Sequence, residues 1–129
     1  MMLAEMMKKQ LREYDENIIA ALQKIKTPII GVGGRKFYFR PKARNETGFE
    51  HIANKKHRLK VRDINEIVNI LRHPVYWTED RHNPIYRTYY GIQKKKDSKT
   101  FIKIVTSPVK GKRNEEEIII TVYPVKNIK

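Results

Sequence analysis

Three segments in the C-terminal half, roughly 85–94, 100–106 and 116–123, are rich in β-branched and aromatic residues. Lys96-Asp97-Ser98 and the basic loop around Lys110-Gly111-Lys112-Arg113 separate them as turns. A meander of this kind must bury one of its faces, so it constrains the fold more than any other feature of the chain. The apolar cover comes from upstream. Asp63 is a good N-cap with Glu66 three residues on, and Ile64, Ile67, Val68 and Leu71 follow at one-face helical spacing. A helix is expected over about 64–72, ended by His73-Pro74, and Pro74 to Asp80 leads into the strands. The class is α+β.

Upstream of that helix the pattern changes twice. Ala4, Met7, Leu11, Tyr14, Ile18, Ala21 and Ile25 alternate at spacings of three and four, which predicts one amphipathic helix over 3–26. Its seam suits packing on its own domain, or a short coiled-coil arm through which the chain would dimerise. Thr27-Pro28 stops it. Ile29-Ile30-Gly31-Val32 and Lys36-Phe37-Tyr38-Phe39 then read as a hairpin about Gly33-Gly34. Gly31-Val32-Gly33-Gly34 lacks the Gly-Lys-Ser/Thr ending of a phosphate-binding P-loop. Two parts follow: an N-terminal helix, 1–26, and a single α+β domain, 27–129.

Alternation sorts the faces of the three strands. Ile118, Ile120 and Val122 point one way and Ile119, Thr121 and Tyr123 the other; Ile102 and Ile104 oppose Phe101, Lys103 and Val105; Tyr86, Tyr90 and Ile92 oppose Arg87 and Tyr89. If the aliphatic sides meet the helices, the open face collects Arg87, Tyr89, Lys103, Thr121 and Tyr123. Cations, tyrosines and a hydroxyl on one face suit phosphate contact and base stacking, although any half-exposed antiparallel sheet turns polar residues outward.

The charge balance points the same way. Lys and Arg number 28 against 14 for Asp and Glu, a formal net charge of +14. Residues 1–26 hold five basic and four acidic residues, so the excess belongs to the remainder. Such a chain is drawn to polyanions, nucleic acid foremost. Without cysteine, disulfides, thiolate nucleophiles and cysteine-built zinc sites are excluded. No apolar run approaches the roughly 20 residues of a membrane span, so a cytoplasmic protein with no membrane partner is expected.

Gly48 to Arg58 places His51 and His57 among Glu50, Lys55, Lys56 and Arg58. Histidine exchanges its proton near neutral pH, and lysine and arginine hold phosphate. On an unbroken helix the two histidines stand about 120° apart and cannot share one ion. They also lack the His-x-x-x-His spacing of zinc hydrolases, and the only clustered carboxylates are Glu115-Glu116-Glu117. No metal and no cofactor is expected. His73 and His82, beside prolines at element boundaries, read as capping or surface residues.

The succession His51-Ile52-x-x-Lys55-x-His57, then Asp63-Ile64-x-x-Ile67-Val68-x-Ile70-Leu71 before Pro74, three meandering strands and a closing Ile119-Ile120-Thr121-Val122-Tyr123-Pro124 resembles a known group. It is similar to the phage and mobile-element branch of the barnase/EndoU/colicin/RelE-like nuclease superfamily over about residues 46–125. The resemblance implies helices packed on a four- to five-stranded antiparallel β-sheet. It also implies a metal-independent endoribonuclease, toxin-like or accessory, in which the ribose 2′-OH attacks the adjacent phosphate and leaves a 2′,3′-cyclic phosphate. His51 and His57 would be base and acid in an order left open. Thr121 would bind the scissile phosphate, and Arg87 or Lys103 would steady its charge. Lys55, Lys56 and Arg58 would grip flanking phosphates, and Tyr89 and Tyr123 would face the nucleotide. Barnase-like members use a glutamate base, and Glu117 is the only glutamate that alternation could bring to the open face. The expected partner is RNA, with an acidic inhibitor or antitoxin to cover the basic face. The rival is a basic RNA- or DNA-binding module without chemistry.

Overall fold

The computed structural model describes residues 13–40, 48–79, 85–93 and 100–128. Its helices are α1 (Glu16–Gln23), α2 (Gly48–Ile52) and α3 (Val61–Arg72). Its strands are β1 (Ile29–Ile30), β2 (Lys36–Phe39), β3 (Tyr76–Glu79), β4 (Arg87–Ile92), β5 (Phe101–Pro108) and β6 (Glu116–Val125). The fold is α+β, with one six-stranded sheet in the order β1-β2-β6-β5-β4-β3.

Most of the expected elements form. The hairpin β1-β2 pairs Ile29 with Phe37, and its turn needs the positive φ of 67° at Gly33 and 78° at Gly34. In α3 the Asp63 carboxylate accepts a 2.8 Å hydrogen bond from the Lys60 backbone N–H, so the helix begins before Asp63 instead of after it. His73 caps the other end through its N–H to the Asn69 carbonyl, 2.8 Å. Its companion His82, the turn at Lys96-Asp97-Ser98 and Glu46 lie outside the described residues. Among the described residues no helix is long and apolar enough to cross a membrane.

Two expectations are corrected. The sheet is not a four- to five-stranded antiparallel one: β2 runs parallel to β6, with Lys36 opposite Glu116 and Phe39 opposite Ile119. The added edge strand β3 pairs with β4. Alternation reports which way side chains point, and carries no information on a strand's partner or direction. Nor is 3–26 one helix. The Asp15 N–H donates to the Ala53 carbonyl at 2.9 Å, and the Lys55 N–H to the Glu13 carbonyl at 2.7 Å, so residues 13–15 run extended alongside 53–55. Asp15 then caps α1 by accepting from the Asn17 N–H at 2.8 Å. Of the apolar seam, Ile18 and Ala21 are spent in the core with Leu22, and Tyr14 and Ile25 pack against it. Ala4, Met7 and Leu11 lie outside the described residues.

The core lies between these helices and one face of the sheet. Ile18, Leu22, Ile52, Ile64, Ile67 and Leu71 meet Phe37, Tyr89, Ile102, Ile104, Ile119 and Val122, all buried. The helix α3 crosses β4 so closely that a Cβ on Gly91 would stand 2.2 Å from Ile70 Cγ1. Gly91→Ala is therefore expected to cost about 1–3 kcal/mol through overpacking. A urea midpoint unchanged from wild type would mean that α3 can ride up off the sheet.

One irregularity decides which residues share a face. Val105 pairs with Thr121 and Thr106 with Ile119, so Ile120 is the extra residue of a β-bulge in β6. Beyond it the parity of the strand reverses. Glu117, Ile119 and Val122 face the helices, whereas Ile118, Thr121 and Tyr123 face away. The unbroken alternation expected for 118–123 is thereby corrected.

Candidate functional site

The segment with the two histidines is not one helix. After α2 ends at Ile52, Asn54 accepts from the Lys56 N–H at 3.0 Å and caps a 3₁₀ turn over Lys55–His57. Arg58 leaves that turn in the left-handed region, φ 56°. The break between Ile52 and Lys55 folds His57 back beside His51, with ring centroids 5.9 Å apart and planes at 77°. An unbroken helix would have held the rings about 120° apart around its axis; the break brings them together. Among the described residues no group of three or more His, Cys, Asp or Glu is placed to hold a metal.

His57 is oriented by the backbone. Its Nδ1 lies 3.0 Å from the Ile52 carbonyl oxygen. A carbonyl only accepts, so Nδ1 carries the proton, and in the neutral ring Nε2 is the basic nitrogen. From His57 the row continues onto the sheet face turned away from the core. The Tyr123 ring is 6.0 Å from the His57 ring, and Lys103 Nζ lies 5.6 Å from the Tyr123 ring and 5.9 Å from that of Tyr90. The register explains the grouping, since Lys103 pairs with Tyr123 on one side and Tyr90 on the other. Thr121 shares this face, but its Oγ1 is shielded from solvent and has no hydrogen-bond partner. A phosphate reaches it only after the side chains around it shift.

Arg87 and Tyr89 belong elsewhere, which corrects their grouping with Lys103. Antiparallel pairing sets Arg87 opposite Thr106 and Tyr89 opposite Ile104, on the helix side of the sheet. There Arg87 Nη1 donates to Glu117 Oε2 at 3.0 Å and Nη2 to Asn114 Oδ1 at 2.6 Å. The Tyr89 hydroxyl donates to the same carboxylate, 2.8 Å from Oε1, and the Thr106 hydroxyl lies 2.6 Å from that oxygen. Trp77 closes the cluster, stacked on Tyr89 at 5.9 Å with the Arg35 guanidinium 4.5 Å from its ring. Glu117 thus neutralises an arginine inside the fold and stands on the opposite face from the histidine row. Alternation alone could not reveal this, because the bulge inverts β6.

Lys55, Lys56 and Arg58 are exposed around the 3₁₀ turn. Three cations that the sequence reading did not single out join them. Lys60 and Arg62, from the start of α3, and Lys126, just past β6, line a cavity of ≈ 410 Å³ together with Lys56, His57 and Arg58. A second cavity of ≈ 300 Å³ is lined by Tyr90, Lys103, Tyr123 and Asn127, and both cavities share Tyr123, Val125 and Lys126. The clustering of Lys60 and Arg62 within five residues of His57 was the available signal; the approach of Lys126 depends on the closing strand. No family model, curated protein or solved structure matches this chain.

Proposed function

We propose that the chain is a metal-independent endoribonuclease, built in the manner of the barnase/EndoU/colicin/RelE-like superfamily, that cleaves by 2′-OH attack on the adjacent phosphate. One observation carries the reading: the helix break between Ile52 and Lys55 brings His57 within 5.9 Å of His51, at the head of a row that continues through Tyr123 to Lys103. Two imidazoles, with a lysine across the Tyr123 ring, can supply the base, the acid and the cation that this chemistry uses. His57, with Nδ1 tied to the Ile52 carbonyl, takes the 2′-proton on Nε2. His51 protonates the departing 5′-oxygen, and Lys103 offsets the charge that grows on the non-bridging oxygens. Arg87 has no part, since Glu117 and Asn114 hold it on the other face.

The test is incubation with bacterial RNA in excess EDTA, with end-group analysis. Wild type is expected to leave cyclic phosphate and 5′-OH ends, and His51→Ala and His57→Ala to cleave about 10²–10⁴-fold more slowly. A substrate with sulfur in place of the 5′-oxygen needs no acid, so it should rescue His51→Ala and not His57→Ala. Intact RNA, bound equally by all three proteins and released by salt, would leave a basic binding module.

A further inference from the structure

The larger cavity differs from its neighbour in what its walls offer. Its charged lining is Lys56, Arg58, Lys60, Arg62 and Lys126, and among the described residues no carboxylate lines it. The amide on its floor is already engaged. Gln93 Nε2 donates to Asp63 Oδ1 at 3.1 Å, and its Oε1 accepts from the Thr100 hydroxyl. Asp63 is itself buried and also accepts from the Lys60 N–H, so it compensates none of the exposed cations directly. Base edges present donors and acceptors in mixed order, and a wall of cations that can only donate matches phosphate oxygens instead. Lys60 and Arg62 also stand at the amino end of α3, a 12-residue helix, where the helix dipole disfavours cations. A bound anion would cancel that cost. Tyr123, Pro124 and Val125 add an apolar shelf for a sugar.

We propose, resting on the nuclease reading, that this cavity holds the phosphate and sugar of the nucleotide next to the scissile bond, whatever its base, and that the substrate is therefore single-stranded RNA. A strand crossing Tyr123 enters both cavities, which puts the phosphate between them beside His57 and Lys103. A pocket of ≈ 410 Å³ is the size that takes one small ligand. A paired strand would have to unstack a nucleotide to fill it.

The probes are adenosine 3′,5′-bisphosphate and its uridine counterpart, with adenosine as the phosphate-free control. They are titrated by calorimetry into wild type, His57→Ala and the double variant Lys60→Gln/Arg62→Gln. The two bisphosphates are expected to bind within about threefold of each other, while adenosine does not bind. The double variant, whose altered side chains are exposed, should weaken both by about tenfold or more, a change of roughly 1.4 kcal/mol or more. The dependence of single-stranded RNA binding on log salt should flatten by about 0.7 for each cation removed. The proposal is overturned if one base is preferred by more than about tenfold, if the double variant binds both bisphosphates as wild type does, or if duplex RNA competes equally with the single strand. Because binding by His57→Ala is read without turnover, uncleaved RNA in the EDTA assay counts against the nuclease reading alone.

Discussion

Glu117→Gln is expected to destabilise the fold by about 3–5 kcal/mol, the cost of leaving a buried guanidinium without its counter-charge. The Glu117 side chain is fully buried and that of Arg87 is 4% exposed. Glutamine keeps the shape, yet it puts an NH₂ donor where Tyr89, Thr106 and Arg87 all donate, and removes the only carboxylate that faces them among the described residues. Denaturant unfolding measures the loss; a shift below about 1 kcal/mol would mean that water reaches Arg87. Tyr89 supplies a second readout. Burial first, and then the adjacent Glu117 charge, hold its phenol well above the usual 10.0. A folded value above the unfolded one means that this contribution is fully present below about pH 10 and is lost as the pH rises through the folded value. The variant removes one of the causes, so Tyr89 should ionise at lower pH in an absorbance titration. At a temperature where the variant is folded, RNA cleavage should persist, because the carboxylate is on the far face from the histidines. A folded variant without cleavage would make Glu117 the base.

Deleting Ile120 is expected to leave cooperative folding intact. The deletion joins Ile119 to Thr121, so β6 alternates without interruption while Glu117, Ile119 and Val122 keep the helix side and Ile118, Thr121 and Tyr123 the other. Were Ile120 an ordinary paired residue, its loss would invert half of the strand: Glu117 and Ile119, each fully buried, would turn outward, or Val122 would leave the core and Tyr123 enter it. The first of these would expose an isoleucine, about 1.5–3 kcal/mol, and break the buried ion pair, about 3–5 kcal/mol. Losses of that order match the whole stability of a small domain, about 5–15 kcal/mol. Ile120→Ala, which keeps the residue count, is the control and should melt cooperatively. Loss of the cooperative transition in the deletion variant, with Ile120→Ala still cooperative, would overturn the face assignment.

These two cases mark where sequence pattern stops being informative. The histidine row is partly legible in the sequence: residue chemistry points to His51, His57, Lys103 and Tyr123, and the fold sets them in one row. The means of convergence is not, since it depends on the break between Ile52 and Lys55, where Asn54 caps the 3₁₀ turn. Residue chemistry groups Arg87 and Tyr89 with Lys103, whereas the register pairs Lys103 with Tyr90 and so sets Arg87 and Tyr89 on the other face.

From the order of residues came the α+β class, the hairpin, α3 and the three C-terminal strands, because each reflects a periodicity or a stop signal confined to a few neighbouring residues. Tertiary structure decided the parallel pairing of β2 with β6, the break before α1, the bulge at Ile120 and the burial of Glu117 against Arg87. Each depends on a hydrogen bond or a packing contact between segments far apart along the chain. The free energy of such a contact is shared by both partners, and neither segment encodes it alone.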